Sequence, residues 1–141
     1  MKIVFVVALL IVSVTPAFSQ GQLSTGSKLF IEPMNGFENY LTAAVQAKRV
    51  PVTIVLDKSH ADYIVMGSWR ETNGGTTGNG SIVAPIKHRI NNSASISIVD
   101  PKTTAVVFAY SASRSETHDA SKQLAEDWAF QLLKQMSGKK K

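Results

Sequence analysis

The sequence predicts an α+β fold, a two-layer sandwich in which two helices cover one face of a mixed, mostly antiparallel sheet of about four or five strands. Three observations predict it. Residues 92–113 read as a hairpin with period-two alternation, residues 28–56 read as strand, helix, strand, and the last twenty or so residues carry a single helical stripe.

The hairpin is the plainest element. Ala94, Ile96 and Ile98 alternate with Ser93, Ser95 and Ser97, so one face is apolar and the other small and polar. Val106, Phe108 and Tyr110 continue the apolar face on the return strand. Asp100-Pro101-Lys102-Thr103 lies between them. Asp suits the first position of a type I turn and Pro the second, whose φ its ring already holds. The serine-rich face reads as the solvent side of an antiparallel sheet.

Residues 1–19 read as a cleavable signal peptide. Lys2 gives the basic start, Ile3 to Val14 is uncharged and apolar, Pro16 breaks the run, and Ala17-Phe18-Ser19 offers small residues where a signal peptidase reads. The run is too short to span a bilayer, which needs about 20 residues, so no transmembrane segment is expected after cleavage. Residues 20–27 are polar and read as a disordered lead-in, and residues 28–137 as one α/β domain. Residues 138–141 are a basic, frayed tail.

The chain has no cysteine. That argues against a disulfide-stapled secreted fold and leaves no thiol for a lipoprotein anchor. The expected location is therefore periplasmic or secreted, and not that of a lipoprotein. The formal charge is +5, but Lys2 lies in the leader and Lys139, Lys140 and Lys141 in the tail. The folded body is near neutral, so the charge does not call for a nucleic-acid partner.

Lys28 to Glu32 is a short strand closed by Pro33. Asn35 is set to cap a helix, with Glu38 three residues on to reach back in a capping box. Phe37, Tyr40, Leu41, Ala44 and Val45 share one helical face. Lys48 and Arg49 sit in its last turn and Pro51 enforces the stop. Val52 to Leu56 reads as a buried strand, completing a βαβ unit. Asp57 to Asp62 is a polar link or one helical turn, and Tyr63 to Arg70 is the next strand. Glu71 to Gly80 is a loop. Ser81 to Ile90 is strand-like, but Pro85 puts it at an edge or bulge. Ser115, Thr117 and Asp119 compete to cap the last helix, whose stripe is Leu124, Ala125, Trp128, Leu132 and Met136, with Gly138 at its end.

The chemistry-bearing residues do not assemble into a motif. The glycine loop holding Gly75 and Gly78 lacks both GK[ST] and GxGxxG order, and reads as a hairpin loop rather than a phosphate cradle. His60 lies near Asp57 and Asp62, but no spacing typical of metal ligands exists, and neither metal nor cofactor is expected. Ser113, Ser115, His118 and Asp119 supply the letters of a hydrolase triad without a nucleophile elbow. Lys87, His88 and Arg89 form a basic cluster that guards an edge strand or meets an anionic partner. Trp69 is placed either to pack or to stack on a ligand. Lys87, His88, Arg89, Trp69, Gly75 and Gly78 are thus the partner-binding candidates.

The order KLFIEPM, capped helix, PVTIVLDKSHADYIVMGSW, strand pair ASISIVDPKTTAVVFAYSAS and terminal helix resembles the small α/β envelope domains typified by the amino-terminal domain of TolB. The periplasmic domain of the curli secretion lipoprotein and the lipoprotein activators of penicillin-binding proteins are similar. The motifs carrying the resemblance are the strand Ala61 to Gly67 and the turn Asp100 to Thr103, within about residues 28–136. The chain departs from the lipoprotein members by lacking the acylated cysteine. The resemblance implies a non-enzymatic module that docks an envelope protein. The alternative is a small hydrolase or a ligand- or glycan-binding protein using Asp57, His60 and Trp69.

Overall fold

The computed structural model describes residues 22–73, 90–115 and 119–138. The signal-peptide segment, Gly75 and Gly78, Lys87, His88 and Arg89, His118 and the lysine tail lie outside the described residues. The elements are β1 (Lys28–Ile31), α1 (Phe37–Ala47), β2 (Thr53–Val55), a 3-10 turn at Lys58–His60, β3 (Tyr63–Asn73), β4 (Ile90–Val99), β5 (Val106–Ser115) and α2 (Ala120–Ser137). The described strands form one sheet in the order β2-β1-β3-β4-β5. β1 runs parallel to β2 and β3, while β3, β4 and β5 are antiparallel. This is the expected mixed α+β sheet opening on a βαβ unit.

Both helices pack on the same face. Val65 pairs with Ile98 and Ile98 with Phe108, making one cross-strand row beneath them. Gly67, Ile96 and Tyr110 make the next row, then Trp69, Ala94 and Ala112, then Glu71, Asn92 and Arg114. Phe37, Leu41, Leu124, Trp128 and Leu132 close over these rows in one cluster, each 1% exposed or less. Full burial of each such side chain contributes roughly 1.5–3 kcal/mol. Gly67 is where the sheet admits no side chain: a Cβ there would stand 2.9 Å from Ile96 Cα and closer still to the Ser95 carbonyl oxygen.

The opposite face is open to solvent at its serine end, as expected. A second row crosses all five strands there: Val55, Phe30, Ile64, Val99 and Val106. Beyond it the residues turn small and polar, through Met66, Ser97 and Ala109 to Ser68, Ser95 and Ser111.

Several local expectations are corrected. Val106 does not join the helix-facing side. An irregularity between Ile98 and Val99 leaves Val107 as an extra residue, so Val106 opposes Val99 on the open face and is 60% exposed. β2 is a half-buried edge strand rather than a buried one, and Leu56 beyond it is 96% exposed. β3 extends through Glu71 to Asn73. α1 starts one residue later than a cap at Asn35 requires: Asn35 and Gly36 take positive φ of 56° and 89°, and Gly36 at the N-cap has no side chain to bond the first turn, although Glu38 reaches back to the Gly36 amide as expected.

α1 also ends before Pro51 acts. Arg49 takes φ 53° and donates to Gln46 O at 3.1 Å, while Val50 donates to Val45 O at 3.0 Å. This is a Schellman stop, with Val50 and Val45 both buried beside it. Lys48 and Arg49 therefore follow the last turn instead of lying in it. α2 begins after Asp119, which is left-handed and makes no capping bond, whereas Ser115 belongs to β5. The hairpin turn keeps Asp100 in its expected role: its Oδ1 accepts from Lys102 N at 2.8 Å, and its carbonyl accepts from Thr104 N at 2.8 Å. Ordered structure begins before β1, because Leu23 joins the core and Ser24 to Ser27 close a turn.

Candidate functional site

β1, β3 and β5 run in one direction, so α1 and α2, which follow β1 and β5, both start at the same end of the sheet. A groove of about 540 Å³ opens between those two starts and the far part of β3. It is lined by Asn35, Gly36, Phe37, Asn39, Tyr40, Trp69, Glu71 and Ser121.

Each wall has a local cause. Two successive left-handed residues, Asn35 and Gly36, turn the chain sharply from β1 into α1. Such φ values favour a short polar side chain or none. Glu38 then folds back, its Oε2 accepting from Met34 N at 2.8 Å and Gly36 N at 2.9 Å. The Met34 amide leads in holding the Glu38 carboxyl below its ordinary value. Phe37 is buried and stacks on Trp69, with centroids 5.9 Å apart and planes 9° from parallel. Tyr40, three residues on, has its centroid 6.3 Å from Phe37 but is 47% exposed. The expectation that Tyr40 shares the core is corrected: it stands at the rim. Ser121 comes from the first turn of α2.

Trp69 Nε1 is buried and has no hydrogen-bond partner among the described residues. In the neighbouring row Asn92 is 5% exposed and its Oδ1 also lacks one. Arg114, across from Asn92, ties β5 to α2 by donating to Gln123 Oε1 at 3.0 Å and to Asp127 Oδ2.

A second concavity, about 400 Å³, lies at the other end of the sheet among Ser24, Ser27, Asp62, Tyr63, Asp100 and Lys102. Burial, with Asp100 and Asp62 nearby, pushes the Tyr63 hydroxyl up. The Lys102 amide holds Asp100 down.

Of the sequence candidates for chemistry, the structure pairs only Asp57 with His60 among the described residues, and it leaves Asp62 and Trp69 apart from them. Asp57 and His60 pair at 3.3 Å on an exposed turn, where Asp57 Oδ1 accepts from Ser59 N at 2.9 Å. That bond to Ser59, with the Ser59 hydroxyl, lowers the Asp57 carboxyl. Asp62 turns away to accept from Lys28 N at 2.8 Å. Trp69 lies six positions along β3 from Tyr63, about 20 Å at strand rise. Ser113 and Ser115 are exposed strand residues and Asp119 stands before α2. Among the described residues no group of His, Asp or Glu is placed to hold a metal ion, and no helix is long and apolar enough to cross a membrane. Of the six partner-binding candidates, Trp69 alone is described, and it lines the groove. Asn35, Asn39, Tyr40, Glu71 and Ser121 were not anticipated as site residues. The signal present for Tyr40 was its place at one margin of the α1 stripe.

No family model matches the sequence, and no curated protein matches it. Solved structures do. A PelC dodecamer from Paraburkholderia phytofirmans is 16% identical, with a TM-score of 0.53 over 84% of this chain and 94% of that one. TolB from Acinetobacter baumannii is 10% identical, with a TM-score of 0.54 over 80% of this chain and 29% of that one. The chain shares the fold of TolB-like envelope domains. At these identities the likeness concerns the fold. A minor lipoprotein from Acinetobacter baumannii matches at a TM-score of 0.44 and 15% identity, over 79% of this chain and 93% of that one.

Proposed function

We propose that the chain is an exported module of the bacterial cell envelope that acts by holding another protein rather than by catalysis. The observation that carries this reading is the exposure of Leu56 and Val106 at the two edges of the open-face row, with Val55, Phe30 and Val99 half-buried and Ile64 buried between them. Large apolar side chains exposed beside half-buried apolar neighbours and rimmed by polar residues favour a protein docking site. A fold shared with TolB, and the leader read from the sequence, favour an envelope protein as partner and the periplasm or exterior as location. A chain without cysteine offers no thiol for acylation. The Asp57–His60 pair lies on an exposed turn outside the groove that Trp69 lines, which weighs against the hydrolase reading.

Self-association is the second reading. The similar PelC is a dodecamer, and β2 and β5 end the described sheet without a further strand partner.

The test immobilises the wild-type chain and a Val99→Lys, Val106→Lys variant, and compares what each retains from a bacterial envelope extract. A specific protein held by the wild type and lost from the folded variant supports docking on the open face. Equal retention by both, or none by either, removes the reading. Light scattering on the purified chain decides the second: a stable oligomer dispersed by the same substitutions supports it.

A further inference from the structure

We infer that the groove between the starts of α1 and α2 binds a neutral saccharide. The inference concerns the helix-covered side of the sheet and does not depend on docking at the open face. The volume of about 540 Å³ lies within the roughly 300–1,000 Å³ range of small-molecule sites.

The lining decides the ligand class. Its apolar part is aromatic: Tyr40 offers a half-exposed ring, supported from beneath by Phe37, which is itself stacked on Trp69. A pyranose presents a flat patch of C–H groups that suits such a ring. Its polar part is two side-chain amides, Asn35 and Asn39, two hydroxyls, of Ser121 and Tyr40, and one carboxylate, Glu71. Amides both donate and accept, as sugar hydroxyls do, and the carboxylate accepts from hydroxyl donors.

Other classes fit less well. Among the described residues no Lys or Arg lines the groove, so none of them offers an anion a counter-charge there. The amides of Met34 and Gly36 at the start of α1 are already taken by Glu38. A lipid tail would leave the two amides and the carboxylate buried without partners, at about 1–3 kcal/mol for each neutral group. Among the described lining residues a cationic side chain would have a single carboxylate, Glu71, to meet it.

The chain has two tryptophans, and Trp128 is 0% exposed in the core, so Trp69 is the indole that reports on the groove. The experiment titrates the full chain with chitotetraose and with cellotetraose, and in a parallel arm with trilysine, by indole emission and by calorimetry. A saturable response to at least one oligosaccharide is expected, weakened roughly tenfold or more in Tyr40→Ala and in Asn39→Ala. Tyr40 and Asn39 are exposed, and circular dichroism checks that both variants fold. Absence of a saturable response to either oligosaccharide overturns the inference. So does an affinity that both substitutions leave unchanged. Saturation by trilysine alone, lost in Glu71→Gln, overturns it in favour of a cationic ligand.

Discussion

The ring of Phe37, first residue of α1, lies parallel to the indole of Trp69 on β3, with centroids 5.9 Å apart. This contact joins the first helix to the far end of the longest described strand. Both rings serve the core and also wall the groove.

Replacing Phe37 with Ala should therefore do two things at once. Stability falls by about 3–5 kcal/mol, the usual cost of deleting a buried aromatic. Trp69 emission moves to the red as water reaches the indole, while Trp128, buried in a different part of the cluster, stays shielded. Urea unfolding and the native-state emission spectrum check the pair of outcomes. A stability loss with unchanged emission would separate the stack from the indole's environment.

Gly67→Ala should be among the most damaging substitutions in the sheet. The new methyl meets the backbone of Ser95 and Ile96, which belongs to a central strand and cannot step aside. Roughly 3 kcal/mol or more is expected, with the β3–β4 pairing bearing the change. Amide exchange in Ser95 to Ser97 should accelerate before exchange in α2 does.

Arg49→Gly should stabilise the chain. Arg49 occupies the left-handed position that ends α1, with φ 53°, where glycine carries no steric cost. A gain of about 0.5–1 kcal/mol is expected, reduced by the extra freedom glycine has when unfolded. Thermal unfolding reads the sign directly.

Glu38 predicts a pH effect. Its folded-state pKa lies below the ordinary 4.5, chiefly through the Met34 amide. The unfolded chain thus takes up its proton first as pH falls. The stabilisation is fully present above the ordinary value and is lost as pH drops through the folded one. Glu38→Gln should lower stability at pH 7 by roughly 0.5–1 kcal/mol and flatten the acid limb of the stability profile. Denaturant midpoints between pH 7 and pH 3 check it.

Much of this architecture was legible because it rests on periodicity. The alternation of Ile96 and Ile98 with serines, and the stripe through Leu124, Trp128 and Leu132, state which faces meet, and those residues do share one core. What was not legible depends on single backbone torsions. One extra residue at Val107 moves Val106 to the other face, and left-handed Asn35 and Gly36 displace the helix start. Neither leaves a mark in hydropathy. The groove was harder still. Its polar residues come from the α1 turn, the end of β3 and the start of α2, which share no spacing in sequence. Trp69 drew notice as an aromatic near a strand end. Asn39 and Ser121 gave no sign by themselves.

The uncovered side of the sheet changes character along the strands. At one end it is apolar, half-buried at Val55, Phe30 and Val99, buried at Ile64 and exposed at Val106, and four or five residues further along it is hydroxyl after hydroxyl, at Ser68, Ser95 and Ser111. A flat object laid there meets a gradient of wettability with one low point. It would settle against a single end, and the serines would keep it from sliding away without gripping it themselves.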